Sequence, residues 1–211
     1  MRLGQTVIVP LQNGVDSRAL IQKTFPTNLV TDDCVYIISR LEQPGLIVKK
    51  GPVAALFFGL AGTKDPRLDQ LQVVFANSGM RSTYSQDIGK VIWEKFIFQS
   101  SIATATSYFD VVIEDIVNDA TKLKALQQLV QEVSDLAVAK GIAIRANQLD
   151  RVQKILSGIP SGATASMHTD FQHKTSKTEP ESLTGYIVRA GKLSNVSVDT
   201  FEIMYAQLKA I

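Results

Sequence analysis

One cysteine in 211 residues leaves nothing for an internal disulfide. Cys34 therefore excludes a bridged secreted scaffold, fits a reducing compartment, and reads as a small core residue in a strand. Only two histidines occur, His168 and His173, in one polar stretch at i, i+5. That spacing matches no common ligand pattern, so they read as solvated loop histidines and no metal site is expected. The 22 basic and 20 acidic residues leave a net charge of +2 with no block of one sign. Nothing in that balance calls for nucleic acid or an anionic membrane surface. The tyrosines are scattered without basic interleaving, which gives no platform for stacked bases. No apolar run reaches transmembrane length, and the N-terminus lacks the basic-then-apolar form of a secretory signal. These absences make a cytoplasmic globular protein the expectation, and 45% hydrophobic content supplies a core for one large domain or two small ones.

What is present changes character along the chain. The first third reads as strands and short helices. Residues 5–12 form an apolar, β-branched run ending at Asn13-Gly14, and Asp16 or Ser17 then caps a helix through Phe25. Strands over 34–41 and 46–50 flank Gln43-Pro44-Gly45, whose proline and glycine suit the centre of a type II turn, so a hairpin is predicted. A further strand spans 53–60. Asp65-Pro66 opens a helix with Leu68, Leu71, Val74 and Phe75 on one face. Periodicity lapses at 79–87, which places a domain break there and divides the chain into 1–84 and 85–211. Beyond it the pattern is helical. Residues 122–140 form an amphipathic helix stopped by Gly141, and 147–156 a second. A polar loop covers 161–177. Thr178-Glu179-Pro180-Glu181 has the form of a capping box leading a helix to Gly191, and a last helix starts near Asp199 with Phe201, Met204, Tyr205 and Leu208.

Within the segment Val91-Ile92-Trp93-Glu94-Lys95-Phe96-Ile97-Phe98-Gln99 a lysine interrupts an apolar run. As a helix, this puts Lys95, Gln99 and Ala103 in one row at i, i+4 and i+8. Burying an unpaired ammonium costs several kcal/mol, so Lys95 either snorkels to the surface or does chemistry.

Three elements in order bear on that choice: a strand entering Gln12-Asn13-Gly14; Trp93-x-Lys95; and Ser166-Met167-x-x-Asp170 followed by Thr178-Glu179 and Gly185-Tyr186-x-Val188. Together they resemble the ketopantoate reductase family, which reduces 2-dehydropantoate to pantoate with NADPH in pantothenate biosynthesis. The resemblance implies an NADP-binding Rossmann-like sheet, present here only in its C-terminal part. An all-α domain of the 6-phosphogluconate-dehydrogenase-like kind would follow, with a small 2-oxo acid held between the two. It implies that Lys95 is the catalytic lysine, stabilising the charge that grows on the carbonyl oxygen and donating the proton. Glu179, reached by a one-residue insertion after Asp170, matches the carboxylate that binds the substrate hydroxyl, and on sequence alone reads equally as an acid favouring a helix N-terminus. Ser166 matches a substrate-binding serine, and Asn13 an asparagine near the nicotinamide. The family usually carries asparagine one and two turns after the lysine. Gln99 keeps that amide on a longer arm, whereas Ala103 offers no polar group, which leaves the choice of 2-oxo acid open.

The chain has no G-x-G-x-x-G, and Gly59-Leu60-Ala61-Gly62 is too short and follows the wrong strand. Measured against the family, roughly 80–90 residues that carry the phosphate-binding half of such a domain precede the matched region. Two expectations follow: weak or absent NADPH binding, and self-association through either the apolar strand edge at Val7, Ile8 and Val9 or the helical domain. Three readings stand: a reductase seen as a shortened chain; a non-catalytic, dimer-forming helical relative that has lost cofactor binding; and an unrelated α+β protein whose lysine snorkels.

Overall fold

A computed structural model describes residues 6–173 and 178–210; the side chains of Arg40, Lys50, Pro52, Thr178 and Glu179 are also outside the description. The chain divides into two compact units, Met1–Ile92 and Trp93–Ile211. The first contains β1 (Val7–Ile8), α1 (Ser17–Thr24), β2 (Leu29–Val30), β3 (Asp32–Gln43), β4 (Leu46–Gly59), α2 (Pro66–Asn77) and β5 (Arg81–Tyr84). The second is all helical and begins within α3 (Ile88–Phe109). It continues through α4 (Ile113–Val117), α5 (Ala120–Ala139), α6 (Gln148–Leu156), α7 (Ser166–His173), α8 (Thr178–Ser182), α9 (Thr184–Ser194) and α10 (Asp199–Leu208).

In the first unit β1 pairs in parallel with β2, while β3, β4 and β5 form a separate sheet, antiparallel then parallel. The run expected as a strand over 5–12 shrinks to two residues. Pro10 brings no N–H to a ladder, and Leu11 has a left-handed φ of 53°, which turns the chain out of extended geometry. The expected hairpin forms at Pro44-Gly45, with Gly45 at φ 83° as a type II turn requires. The two strands expected over 46–50 and 53–60 are one continuous strand. Ile37 pairs with Ala54 but Ile38 with Lys50, so 51–53 bulge out of register around Gly51 at φ 71°.

Alternation along β4 sorts its side chains. Leu56 and Phe58 join Leu60 and Leu68 in one cluster, while Phe57 packs with Cys34, Ile88 and Ile92. Leu71 and Phe75 of α2 join the first cluster, but Val74 is 60% exposed, because it lies about 240° around the helix from Leu68 and leaves the buried face. Residues 81–84, where periodicity lapses in the sequence, are a strand. β5 gains its place from non-local pairing with β4, and Gln72 lines its outer edge, donating to the Ser82 carbonyl (3.2 Å) and accepting from Tyr84 N–H (2.7 Å).

The helical unit is built around the small buried side chains of α3. Ser100, Ser101, Ala103, Thr104, Ala105 and Thr106 are all at most 2% exposed, which admits neighbouring helices close to its backbone. Two of the buried hydroxyls have clear partners: Ser100 donates to the Phe96 carbonyl (2.6 Å), and Thr104 bonds Thr184 of α9 (2.7 Å), whereas the Ser101 and Ser107 hydroxyls have none among the described residues. α5 supplies Leu126, Leu129, Val133, Leu136 and Ala137, and Gly141 ends it at φ 75° as expected.

Two helical expectations fail here. Ser161 to Lys177 is not all loop, since α7 occupies 166–173. Gly191 does not stop a helix; α9 runs on to Ser194 and ends at Asn195 in the left-handed region. Gly191 is small because a Cβ there would stand 2.6 Å from Val198 Cγ2.

Candidate functional site

Lys95 and Gln99 sit one turn apart on α3 and are both half-buried, while Ala103, the next residue of that row, is 2% exposed and closed into the helical core. Trp93 and Phe96, on either side of the lysine in sequence, pack against Tyr186 of α9, tilted and edge-to-face, with ring centroids 6.4 and 5.7 Å away. That aromatic packing fixes the turn of α3 bearing Lys95 against α9. Glu94 is committed elsewhere: it pairs with Arg151 (3.2 Å) and Arg145 (3.4 Å) and accepts the Arg145 backbone N–H. Two guanidiniums on one carboxylate tie α3 to the start of α6 and neutralise the acid beside the lysine.

The other sequence candidates lie on separate elements. Ser166 is the first residue of α7 and exposed. Glu179 is the second residue of α8, and its side chain lies outside the described residues. α8 is clamped two residues further on. Glu181 accepts from Arg189 of α9 (2.9 Å) and from the Tyr205 hydroxyl of α10, and its carbonyl accepts a second Arg189 N–H (3.0 Å). The Tyr205 hydroxyl, then the Arg189 and Lys209 cations, hold the Glu181 carboxyl below the usual range. Burial, then the same hydrogen bond, pushes the Tyr205 phenol up. Asn13 belongs to the first unit, exposed in the bend after β1.

Sequence reasoning missed one constellation and misread its centre. His168 is no solvated loop residue: it is 2% exposed on α7. Its Nδ1 meets Thr164 Oγ1 (2.6 Å) and its Nε2 meets Asp110 Oδ1 (2.8 Å). The imidazole, then Gln172, lowers the Asp110 carboxyl. No sequence signal links residues 58 positions apart. His173 is exposed and bonds the Thr169 carbonyl. Among the described residues no group of His, Cys, Asp or Glu is arranged to hold a metal ion, and no helix is long and apolar enough to cross a membrane.

A dinucleotide's diphosphate needs a strand, a glycine-rich turn and a helix N-terminus free of negative charge. Here β1 passes through Gln12-Asn13-Gly14 to α1, whose N-cap position is Asp16. A carboxylate at that end repels a phosphate, so this bend is not a diphosphate site, and Asn13 offers an amide.

Comparison with known proteins places this geometry in context. The chain is 23% identical over 192 residues to the 2-dehydropantoate 2-reductase of Halobacterium salinarum, covering 91% of this chain and 63% of the relative. A structure of 2-dehydropantoate 2-reductase from Porphyromonas gingivalis W83 superposes with a TM-score of 0.78 at 28% identity, over 97% of this chain and 63% of that one. D-mandelate dehydrogenase, solved with NADH and anilino(oxo)acetate, shares the fold with a TM-score of 0.84 at 20% identity, over 97% of this chain and 67% of that one. The chain thus spans less than two thirds of the first two proteins. The family model described as ketopantoate reductase PanE/ApbA C terminal matches residues 87–211, more than half of the sequence, and the chain belongs to the ketopantoate reductase family.

Proposed function

We propose that this chain carries the substrate-recognising part of a 2-oxo-acid reductase of the 2-dehydropantoate type. The observation behind the reading is the half-buried row of Lys95 and Gln99 on α3, inside the segment that matches the family model. In that reaction a reduced nicotinamide supplies hydride to the carbonyl carbon. The chain's own residues bind, orient and protonate. The Lys95 ammonium stabilises the negative charge growing on the C2 oxygen and gives it a proton, yielding the 2-hydroxy acid. By the family resemblance Glu179 would accept from the substrate's hydroxyl, Ser166 and Gln99 would hydrogen-bond the substrate, and Asn13 would serve the nicotinamide end of the cofactor. NADPH is the cofactor carried over from the family resemblance, and NADH is tested beside it because the mandelate enzyme was solved with that form. The protein is cytoplasmic and self-associates, with β1, paired only with β2 among the described residues, as one open edge.

The test is a panel of 2-oxo acids including 2-dehydropantoate, with NADPH or NADH, comparing the natural chain with Lys95→Ala. Turnover that falls roughly a hundredfold or more in the variant supports the acid role; equal rates, or none in either protein, remove it. The closed position of Ala103, which offers no polar group to a substrate, favours one alternative, a non-catalytic, dimer-forming helical relative that has lost cofactor binding.

A further inference from the structure

We propose that His168, held between Thr164 and Asp110, is a positioning residue for Ser166. The inference rests on reading Ser166 as a substrate-binding serine. α7 has eight residues, too short to hold its own shape in water, so its orientation must come from tertiary anchors. Ser166 and His168 are two positions apart, which puts them about 200° apart around the helix. The structure shows both ends of that relation: His168 is 2% exposed and Ser166 is exposed. Fixing the inner side chain fixes which way the outer one points.

The anchor is built from both ring nitrogens. Nε2 is hydrogen-bonded to Asp110 Oδ1 (2.8 Å) and Nδ1 to the Thr164 hydroxyl (2.6 Å). Thr164 precedes Ser166 by two residues and His168 follows it by two, so the hydrogen bond closes around the serine. The incoming chain is fixed as well, because the Ala163 carbonyl accepts the Ile113 N–H (3.0 Å) at the start of α4. Asp110 caps the C-terminal end of α3, with φ 51° and the Val111 N–H returning to the Thr106 carbonyl (3.2 Å). The helix that carries Lys95 thereby also fixes the rotation of the helix that carries Ser166. Fully buried Met167 sets the same inner face by apolar packing, and the two hydrogen bonds of His168 add the directional part of the anchor.

A left-handed φ at Asp110 supplies a clean variant. Asp110→Gly suits the backbone and removes only the carboxylate, whereas His168→Leu also alters the core. The assay is 2-dehydropantoate binding to the full chain, read from the fluorescence of the single tryptophan, Trp93. Ser166→Ala is expected to weaken binding roughly tenfold, as the loss of one hydrogen bond to a charged ligand does. Asp110→Gly and His168→Leu should each weaken it roughly three- to tenfold, and Asp110→Gly combined with Ser166→Ala should bind no worse than Ser166→Ala alone. If the natural chain does not bind, or Ser166→Ala binds unchanged, the serine assignment fails and this inference falls with it. If Ser166→Ala weakens binding while Asp110→Gly leaves it unchanged, or the two losses add in full, the pair is only structural and the positioning role is overturned. Should His168→Leu fail to fold, Asp110→Gly carries the decision.

Discussion

Removing the carboxylate of Glu132 should uncap the N-terminus of α10. Val198 occupies the cap position of that helix and cannot cap it. Glu132 reaches across from α5 instead, accepting the Thr200 N–H at 3.0 Å and the Phe201 N–H at 3.1 Å while only 4% exposed. A missing cap costs about 0.5–2 kcal/mol, and a buried hydrogen bond to a charged group about 1.5–3 kcal/mol. Glu132→Ala should therefore cost about 3 kcal/mol, which lowers Tm by roughly 6–12 °C for a chain of this size. Glu132→Gln keeps one acceptor and turns an NH2 toward the other donor, so its loss should fall between. Thermal melts followed by far-UV circular dichroism give the size, and amide exchange at Thr200 and Phe201 locates it. An alanine variant melting within about 1 °C of the natural chain, with unchanged exchange at those amides, would refute the capping argument.

Other perturbations follow from the same packing. Gly191→Ala should destabilise by about 1–3 kcal/mol by pressing a methyl on Val198, and Val198→Ala should relieve part of it; a denaturation series on both variants and the pair checks this. Thr104→Val strands the Thr184 hydroxyl and should cost about 1–3 kcal/mol, with the double valine variant recovering some of the loss in the same melts. Asp65 should titrate at about 2 instead of the ordinary 3.8, because the Arg67 guanidinium and N–H bond its carboxylate. A depressed pKa in the folded state means its stabilisation is complete above about pH 4 and lost as pH falls toward about 2. A carboxyl NMR titration showing a midpoint near the ordinary value in both the natural chain and Arg67→Ala would contradict that assignment.

Local chemistry in this chain was readable and tertiary chemistry was not. Pro44-Gly45 names its own turn, and the long periodic run of α5 names its helix. β5 has no such signature: Arg81-Ser82-Thr83-Tyr84 becomes a strand because β4 and Gln72 satisfy its backbone. α7 is hidden for the same reason, since its anchor at Asp110 is remote in sequence. Gly191 misled because glycine marks both helix ends and close packing, and only the neighbour Val198 tells them apart. In the candidate site the row of Lys95 and Gln99 follows from helical spacing alone, whereas the Glu94 ion pairs and the Glu181 clamp need the fold to be seen.

Lys95 carries the proposed chemistry. A crystal structure of the full chain with pantoate bound tests it most directly. It should find the Lys95 ammonium within hydrogen-bonding distance of the C2 hydroxyl, with Gln99 and Ser166 also touching the ligand. Pantoate bound elsewhere, or a Lys95 side chain turned into bulk water with the ligand in place, would contradict the account.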